Sequence, residues 1–569
     1  MKILGINNMH DASCALVVDG HVINAAEEER FTRIKHAHGL PINAIRFCLD
    51  NSGLKISEID AVCASWRPWV LRRRAIEAFK SFYKSSYMFK AKLERGMGQM
   101  YNEWAELFRL RQLLNKYFGE GKYTIHYVDH HLSHAASAFL CSPYDRSAIL
   151  TVDGAGEAET TVFWLGEGKS IKKLKAIKLP HSLGQFYSAV TAFLGFNVQA
   201  DEYKVMGLAA LGKPLYAEHL KRHFIRFHTD GTFYLDPYFI DYHLARKGLF
   251  LKPTVDVFGK QRQREEEITQ RHADVAASAQ AIIEEAFFHM VNHLYRLTMV
   301  DNLCLAGGVA FNCVAAGKLL AHTPFRKIFL QPAAGDAGGA IGAPLYIEHS
   351  KNTPNNREYI FKSVYLGPSY TTIQCEKILN EMNIPYERYT ESELLKKTAE
   401  IISNGKLLFW FHGRMEWGPR ALGARSLLAD PRIAEMKDII NKRVKHREHF
   451  RPFAPSILAE KASEFFDYYY NSPFMNFAFP VRHDIAAKIP ATIHIDNTAR
   501  PQAVFKDINP RFWALIKEFE KITNIPLLLN TSFNVQEPIV CTPKEAITTF
   551  LNTKVDYLVL EDFIVKQKE

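Results

Sequence analysis

In the stretch Val128-Asp129-His130-His131-Leu132-Ser133-His134-Ala135, two histidines stand four residues apart. On a helix that spacing is one turn, so His130 and His134 can present both imidazoles to one metal ion. A chain with 23 histidines produces such pairs by chance, and a solvated helix face competes with the ligand role. Two carboxylates favour the ligand role. Asp153 ends the apolar run Leu150-Thr151-Val152 and opens a glycine turn, and Asp336 does much the same in Ala334-Gly335-Asp336-Ala337-Gly338-Gly339. Two imidazoles with carboxylate oxygens suit Fe(II), Mn(II) or Zn(II) better than soft copper. No His-Glu-x-x-His run occurs, so no metalloprotease helix is implied.

A second chemistry is written in cations. Arg414, Arg420 and Arg425 fall within thirteen residues rich in glycine, Lys445, Arg447 and Arg451 precede Pro452-Phe453-Ala454-Pro455, and Arg500 sits in Thr498-Ala499-Arg500-Pro501-Gln502. Arginines fixed between glycines and prolines suit bidentate phosphate recognition; ordinary surface cations fit the helical stretch Ile433 to His446 but not these turns. Gly307 and Gly308 follow the strand-like Leu303-Cys304-Leu305, where paired glycines let a helix N-terminus approach a nucleotide closely. Gly166-Glu167-Gly168-Lys169-Ser170 imitates a phosphate loop, but Phe163 stands where its first glycine belongs, so the segment reads as a hairpin turn.

The elements that must carry these residues are legible in outline. Lys2 to Asn7 reads as a strand, followed by a hairpin whose arms Ala15–Val18 and His21–Asn24 flank Asp19-Gly20. Strand, glycine turn and hairpin recur from Ala148 to Ile177, which predicts two related α/β halves facing a nucleotide-binding cleft. Helices are expected over Leu183 to Leu194 and from about 268 to 297, and the polar segment 350–357 is the expected linker. Beyond it, helices at Thr372 to Met382 and Ser392 to Asn404 alternate with strands at Lys406 to Phe411, Pro526 to Leu529 and Asp556 to Leu560.

With 569 residues the chain exceeds a single core of roughly 300 residues and needs at least two domains. Its eight cysteines are dispersed without a Cys-x-x-Cys pair, which argues against a disulfide framework or zinc finger and for a reducing, cytoplasmic setting. No apolar run is long enough to span a bilayer, and the first residues lack a signal-peptide pattern. The net charge of +10 is concentrated between Arg67 and Arg95, where nine cations face two anions among interleaved aromatics. That stretch could meet RNA or another anionic partner, but a solvated helical insertion with inward aromatics accounts for it better.

Taken together, His10-Asp11-Ala12-Ser13, Glu27-Glu28-Glu29-Arg30-Phe31, the His130 block, Asp201-Glu202-Tyr203-Lys204-Val205-Met206-Gly207-Leu208, Gly307-Gly308, Gly418-Pro419-Arg420-Ala421-Leu422-Gly423, Arg451-Pro452-Phe453-Ala454-Pro455 and Leu529-Asn530-Thr531-Ser532-Phe533-Asn534 resemble the NodU/TobZ/CmcH family of O-carbamoyltransferases, nearly end to end. The resemblance implies an α/β fold with a duplicated actin/hexokinase-like (ASKHA) domain similar to TsaD over 1–352, and a YrdC-like α/β domain over 353–569. It implies that carbamoyl phosphate and ATP, with Mg2+, give a carbamoyl-adenylate at Arg420, Lys445, Arg451, Arg500, Asn530 and Ser532. The carbamoyl group then passes to an acceptor hydroxyl beside Fe(II), or another divalent transition metal, on His130, His134, Asp153 and Asp336. His10 would be the general base, with Lys35 a second candidate; an imidazole titrating near neutrality suits a base that starts unprotonated. The acceptor implied is a small molecule or saccharide, in antibiotic biosynthesis or nodulation. A nucleic acid is not expected and a homodimer is allowed. The competing readings are carbamoyl or threonylcarbamoyl transfer to tRNA, which only the basic insertion at 66–118 favours, and a non-catalytic nucleotide-binding protein.

Overall fold

The computed structural model describes residues 1–70, 90, 99–351, 357 and 359–567. Most of the basic, aromatic insertion (71–89 and 91–98) and the centre of the expected linker (352–356) lie outside the described residues. The chain divides into two compact units, the first made of 1–28, 36–315 and 319–361, the second of 29–35, 316–318 and 362–569. Among the described residues no helix is long and apolar enough to cross a membrane.

The first unit holds two five-stranded sheets. One is built from β1 (Lys2–Asn7), β2 (Ser13–Val18), β3 (His21–Glu27), β4 (Ala61–Ala64) and β5 (Thr124–Tyr127); the other from β6 (Arg146–Val152), β7 (Glu159–Glu167), β8 (Ser170–Lys178), β9 (Asn302–Ala306) and β10 (Lys327–Leu330). Their orders are β3-β2-β1-β4-β5 and β8-β7-β6-β9-β10. In each, a leading strand pairs antiparallel with the hairpin that follows it and parallel with a later strand. The repeated order is that of a duplicated, actin/hexokinase-like α/β fold, as the sequence predicted. The leading strands are buried on both faces, so they read as continuous apolar runs instead of alternating ones.

Helices α1 (Ile42–Asp50), α2 (His130–Phe139), α3 (Glu202–Ala209), α4 (Gln270–Thr298) and α5 (Gly339–Lys351) pack around these sheets. α5 packs on β1, β2 and β4 and on α2, while α2 packs on β6 and β9, so the two helices join the sheets. Small residues set how closely they approach. Pro344 cannot donate to the carbonyl of Ala340, and that freed oxygen abuts Gly5 on β1, where a Cβ would come within 1.9 Å. At Gly342 a Cβ would come within 1.9 Å of the Ser133 carbonyl of α2. The Gly166 hairpin is as expected, with β7 and β8 enclosing the Gly168 turn.

The second unit centres on an eight-stranded sheet: β11 (Glu387–Arg388), β12 (Leu408–Phe411), β13 (Arg425–Ala429), β14 (Ala454–Leu458), β15 (Gln502–Val504), β16 (Leu527–Ser532), β17 (Tyr557–Leu560) and β18 (Phe563–Lys566). Its order, β11-β18-β17-β12-β13-β16-β14-β15, mixes parallel and antiparallel pairs. Phe409, Phe411, Leu427, Leu529 and Leu558 form its core, and Phe409 stacks on Phe533 at 3.8 Å. The expected helix Ile433 to His446 is shorter and changes character: Met436–Ile440 is α-helical, and Asn441–Lys445 opens into the wider π turn, closed by left-handed His446 at φ 45°. That wider turn carries Asn441, Val444 and Lys445 into the interior while Lys442, Arg443 and His446 stay exposed.

Candidate functional site

His130 and His134 lie on the first turns of α2, whose side chains are almost all buried against the sheets. Asp129 caps the helix by accepting from the Leu132 N–H at 3.0 Å, and Arg67 holds the other Asp129 oxygen while its Nε reaches both oxygens of buried Glu157. Sequence reading overlooked this clamp, since Arg67, Asp129 and Glu157 are far apart along the chain. The Nε2 atoms of His130 and His134 are 3.1 Å apart, and each lies 3.0 Å from Asp153 Oδ2. Asp336, which opens the short turn before α5, brings its Oδ1 to 3.8 and 3.9 Å from the same nitrogens. The four residues predicted as ligands therefore converge, with one donor atom from each within 4.8 Å of the others.

The surroundings favour a cation at this point. Asp153 Oδ1 is occupied by the Gly154 N–H at 2.7 Å, which leaves Oδ2 for the imidazoles. Both imidazole Nδ1 atoms are buried without a hydrogen-bond partner among the described residues. Burial and the neighbouring His134 push the pKa of His130 down to about 3. Burial also opposes charge on His134, but its bond to the Asp153 carboxylate prevails and raises it. Burial and the Asp153 charge push Asp336 up to about 7. Two imidazoles and two carboxylates thus compete for too few protons in a dry space, a conflict that one divalent ion resolves. For bonds of about 2.1 Å, donors on adjacent corners of a coordination shell stand roughly 3 Å apart, so the nitrogen and Asp153 oxygen spacing fits such an ion.

Glycines let the neighbouring chain close over the group. A Cβ on Gly156 would meet His131 Cδ2 at 2.6 Å and His130 Cδ2 at 3.0 Å. Gly307, at φ 94°, lies against the Val152 backbone, and a Cβ on Gly308 would sit 3.2 Å from Asp153 Oδ1. The glycine pair therefore packs against the strand end that bears Asp153. The third histidine, His131, is satisfied by Thr151 Oγ1 at 2.9 Å and the Glu159 carbonyl at 3.0 Å, a structural role. Trp66 covers His130 with ring centres 3.8 Å apart.

His10 lies in the turn between β1 and β2. Its Nδ1 is 3.1 Å from Asp11 Oδ2 and its Nε2 3.1 Å from the Gln199 carbonyl. Burial opposes charge on it, but the carboxylates of Asp11 and, farther off, Asp336 outweigh burial and raise its pKa to about 10. The expectation of an imidazole titrating near neutrality therefore does not hold for this state of the turn; its physical cause is the Asp11 pairing. His10, Asp11 and His36 form a second cluster of converging donor atoms. Lys35, exposed, belongs to the second unit, where it is one of the charges that disfavour the Lys445 ammonium.

In the second unit, Lys445 is buried and donates from Nζ to the Ser532 carbonyl at 2.6 Å, the Asn534 carbonyl at 2.7 Å and Asn534 Oδ1 at 2.8 Å. Burial, with Arg447, Arg451 and Lys35 nearby, holds its pKa well below the usual lysine range, although Glu537 pulls the other way. Arg447 is fixed by Asn441 Oδ1 and lies 4.6 Å over Phe453, and Arg451 stands 3.8 Å from Glu448. Lys445, Arg447, Arg451 and Ser532 thus lie close to one another. Arg500 stands beside half-buried His494, which desolvation and the Arg500 charge push down to about 4, with Asp496 opposing.

Arg420 rides on a loop whose backbone is pinned from all sides. Buried Glu416 accepts through Oε1 from the N–H groups of Leu422 (2.8 Å), Ala424 (2.7 Å) and Arg425 (3.1 Å). Asn530 donates to the Ala421 carbonyl and to Ser456 Oγ, Gln502 to the Leu422 carbonyl, and Trp410 to the Gly423 carbonyl. Asn530 is thus engaged in holding this loop. Of the other arginines in the motif, Arg425 is fully buried, 3.6 Å over the Phe411 ring and bonded to the His412, Ala424 and Pro368 carbonyls, and Arg414 donates to the Leu366 and Gly367 carbonyls. Both serve the fold. No local pattern announces Glu416, because its three donors lie six to nine residues downstream.

Two family models match the chain: carbamoyltransferase N-terminus over residues 2–345 and carbamoyltransferase C-terminus over 399–567. An uncharacterized protein of Synechocystis sp. is 40% identical over 99% of this chain and 96% of its own length. Nodulation protein NolNO of Sinorhizobium fredii is 40% identical over 98% of this chain and 79% of its own length, and Nodulation protein U from the same organism is 28% identical over 94% of each.

Proposed function

This chain belongs to the carbamoyltransferase family, and from that we propose that it is an ATP-dependent O-carbamoyltransferase which works in two half-reactions, one in each unit. In the second, YrdC-like unit, one water hydrolyses carbamoyl phosphate to carbamate and phosphate, and a carbamate oxygen then bonds to the α-phosphorus of ATP as pyrophosphate leaves, which gives carbamoyl-adenylate. In the first unit the carbamoyl carbon is attacked by an acceptor hydroxyl, and AMP departs. The acceptor in this reading is a saccharide or other hydroxylated small molecule, in a family whose members include nodulation proteins.

The observation that carries this reading is the buried meeting of His130, His134, Asp153 and Asp336 in a chain of this family. A divalent ion held there would polarise the oxygens that exchange partners, which lowers the barrier for a weak hydroxyl nucleophile. His10 takes the hydroxyl proton at Nε2, while Asp11 holds Nδ1. Arg447 and Arg451 bind and orient the phosphates, the pinned loop presents Arg420 to the same anions, and Lys445 holds the Ser532–Asn534 turn beside them.

The test separates the halves. Exchange of labelled pyrophosphate into ATP, dependent on carbamoyl phosphate, is expected from the intact protein and lost in Lys445→Met. His10→Ala is expected to keep the exchange and lose transfer to a hydroxylated acceptor, followed by mass spectrometry as one added carbamoyl group. A protein that binds ATP without any exchange ends the enzymatic reading.

A further inference from the structure

The His10 turn contains more machinery than a single base requires. Its neighbour Asp11 is a non-glycine residue at φ 55°. The turn is closed from inside by buried Asn7, whose amide donates to the carbonyls of His10 (2.8 Å) and Asp11 (3.1 Å). A second loop is zipped to it by two backbone bonds, Ala12 N–H to the Ala37 carbonyl at 2.8 Å and Gly39 N–H to the Asn8 carbonyl at 2.9 Å. On either side of Ala37 the loop presents His36 and His38, whose rings lie 4.8 and 5.4 Å from that of His10. His36 Nδ1 is 2.8 Å from Asp11 Oδ1, and His38 Nδ1 is 2.9 Å from Glu103 Oε1.

One carboxylate therefore grips two imidazoles, each through its Nδ1. We infer that Asp11, backed by His36, is a positioning residue: it fixes the Nδ1–H form of His10 so that Nε2 alone receives the acceptor's proton, and the Gln199 carbonyl occupies the acceptor's place until that acceptor arrives.

The geometry leaves little choice. An ionised carboxylate accepts only, so both Nδ1 atoms that face Asp11 carry hydrogens. The carbonyl of Gln199 also accepts only, so Nε2 at 3.1 Å from it carries a hydrogen as well, and His10 is an imidazolium here. It becomes a base when that carbonyl gives way to a hydroxyl and the Nε2 proton is released to solvent, which leaves a lone pair facing the hydroxyl. Gln199 is held in place by its own strained backbone at φ 63° and by its N–H on Glu202 Oε1 at 2.7 Å, at the entrance to α3. In the transfer step the hydroxyl oxygen bonds to the carbamoyl carbon, the bond to the AMP oxygen breaks, and the hydroxyl proton goes to Nε2. The charged or titratable groups that face His10 are Asp11 on its own turn, His36 and His38 from the zipped loop, and Asp336 ahead of α5. The arrangement follows the general design in which a carboxylate sets the tautomer of a catalytic histidine.

This inference rests on the role proposed for His10, and the experiment distinguishes the two. In the full-length protein, Asp11→Asn is expected to lower transfer kcat by about 10²-fold or more, with acceptor KM and pyrophosphate exchange unchanged. The acid limb of its kcat–pH profile moves to lower pH, because the imidazolium has lost its carboxylate. His36→Asn keeps the carboxylate, so it is expected to lower kcat more weakly with no shift of the acid limb to lower pH, and Asp11→Glu recovers part of the rate. Transfer within threefold of wild type in Asp11→Asn, or an unshifted acid limb, overturns the inference. So does loss of a bound metal equivalent in Asp11→Asn that His134→Ala retains, which would make the cluster a metal site. Unimpaired transfer in His10→Ala would instead remove the base itself and the functional reading with it.

Discussion

Replacing Glu416 tests whether the Arg420 loop is a rigid anion-binding element. The carboxylate is buried and accepts three backbone N–H bonds through a single oxygen. Glu416→Ala leaves three buried donors unpaired, and at about 1–3 kcal/mol for each such group, less the relief of no longer burying a charge, the loss is about 3–5 kcal/mol. Glu416→Gln keeps an acceptor oxygen and loses only the charge assistance, about 1–2 kcal/mol in all. The informative variant is therefore the glutamine one. In amide hydrogen exchange followed by mass spectrometry, the peptide containing Leu422, Ala424 and Arg425 should exchange about 5–30 times faster, while sheet amides of β12 and β16 are unaffected. If phosphate recognition depends on that rigidity, the KM for ATP in pyrophosphate exchange rises with it. Wild-type exchange protection in a folded Glu416→Gln protein would refute the three-bond account, and faster amide exchange with unchanged KM would separate the loop from the anion.

Three further outcomes follow from the first unit. Asp153→Asn and His134→Ala should lower bound divalent metal at least tenfold by elemental analysis and abolish transfer while sparing pyrophosphate exchange. Protons compete for the same donors: with Asp336 pushed up to about 7, metal retention should fall as pH drops through 7. In metal-free protein the sign reverses, since a carboxyl whose folded pKa is raised supports stability below its ordinary value and withdraws it as pH rises through about 7; thermal unfolding with and without chelator at pH 6 and 8 checks both. Gly342→Ala, whose Cβ would stand 1.9 Å from the Ser133 carbonyl, should cost about 1–3 kcal/mol in thermal or urea unfolding and weaken metal binding by displacing α2.

The parts of this arrangement that could be foreseen are those whose determinants are local. The four-residue spacing of His130 and His134 is a helical period, and the Asp19-Gly20 hairpin is a turn signal of adjacent residues, so both stand where the sequence placed them. Asp153 and Asp336 were legible because an apolar run ends on a carboxylate and glycine. Asp11, Glu416 and Arg67 were not, because each is defined by partners that folding alone brings near, such as His36 for Asp11 and Glu157 for Arg67. The same holds for residues 29–35: Arg30 and Arg33 look like ordinary helix charges but donate to the carbonyls of Gly418, Pro538 and Ile539 in the second unit. The inward course of Lys445 depends on a π turn, whose extra residue per turn no amphipathic period announces.

Because β1 and β6 hold the same station in their sheets, the turn bearing His10 and Asp11 and the turn bearing Asp153 follow corresponding strands. The same place in two like sheets thus carries opposite duties: one turn holds a protonated imidazole, the other aims a carboxylate oxygen at the spot where a cation would sit, so substitutions beside the first can retune the response to a hydroxyl partner without touching the donors of the second.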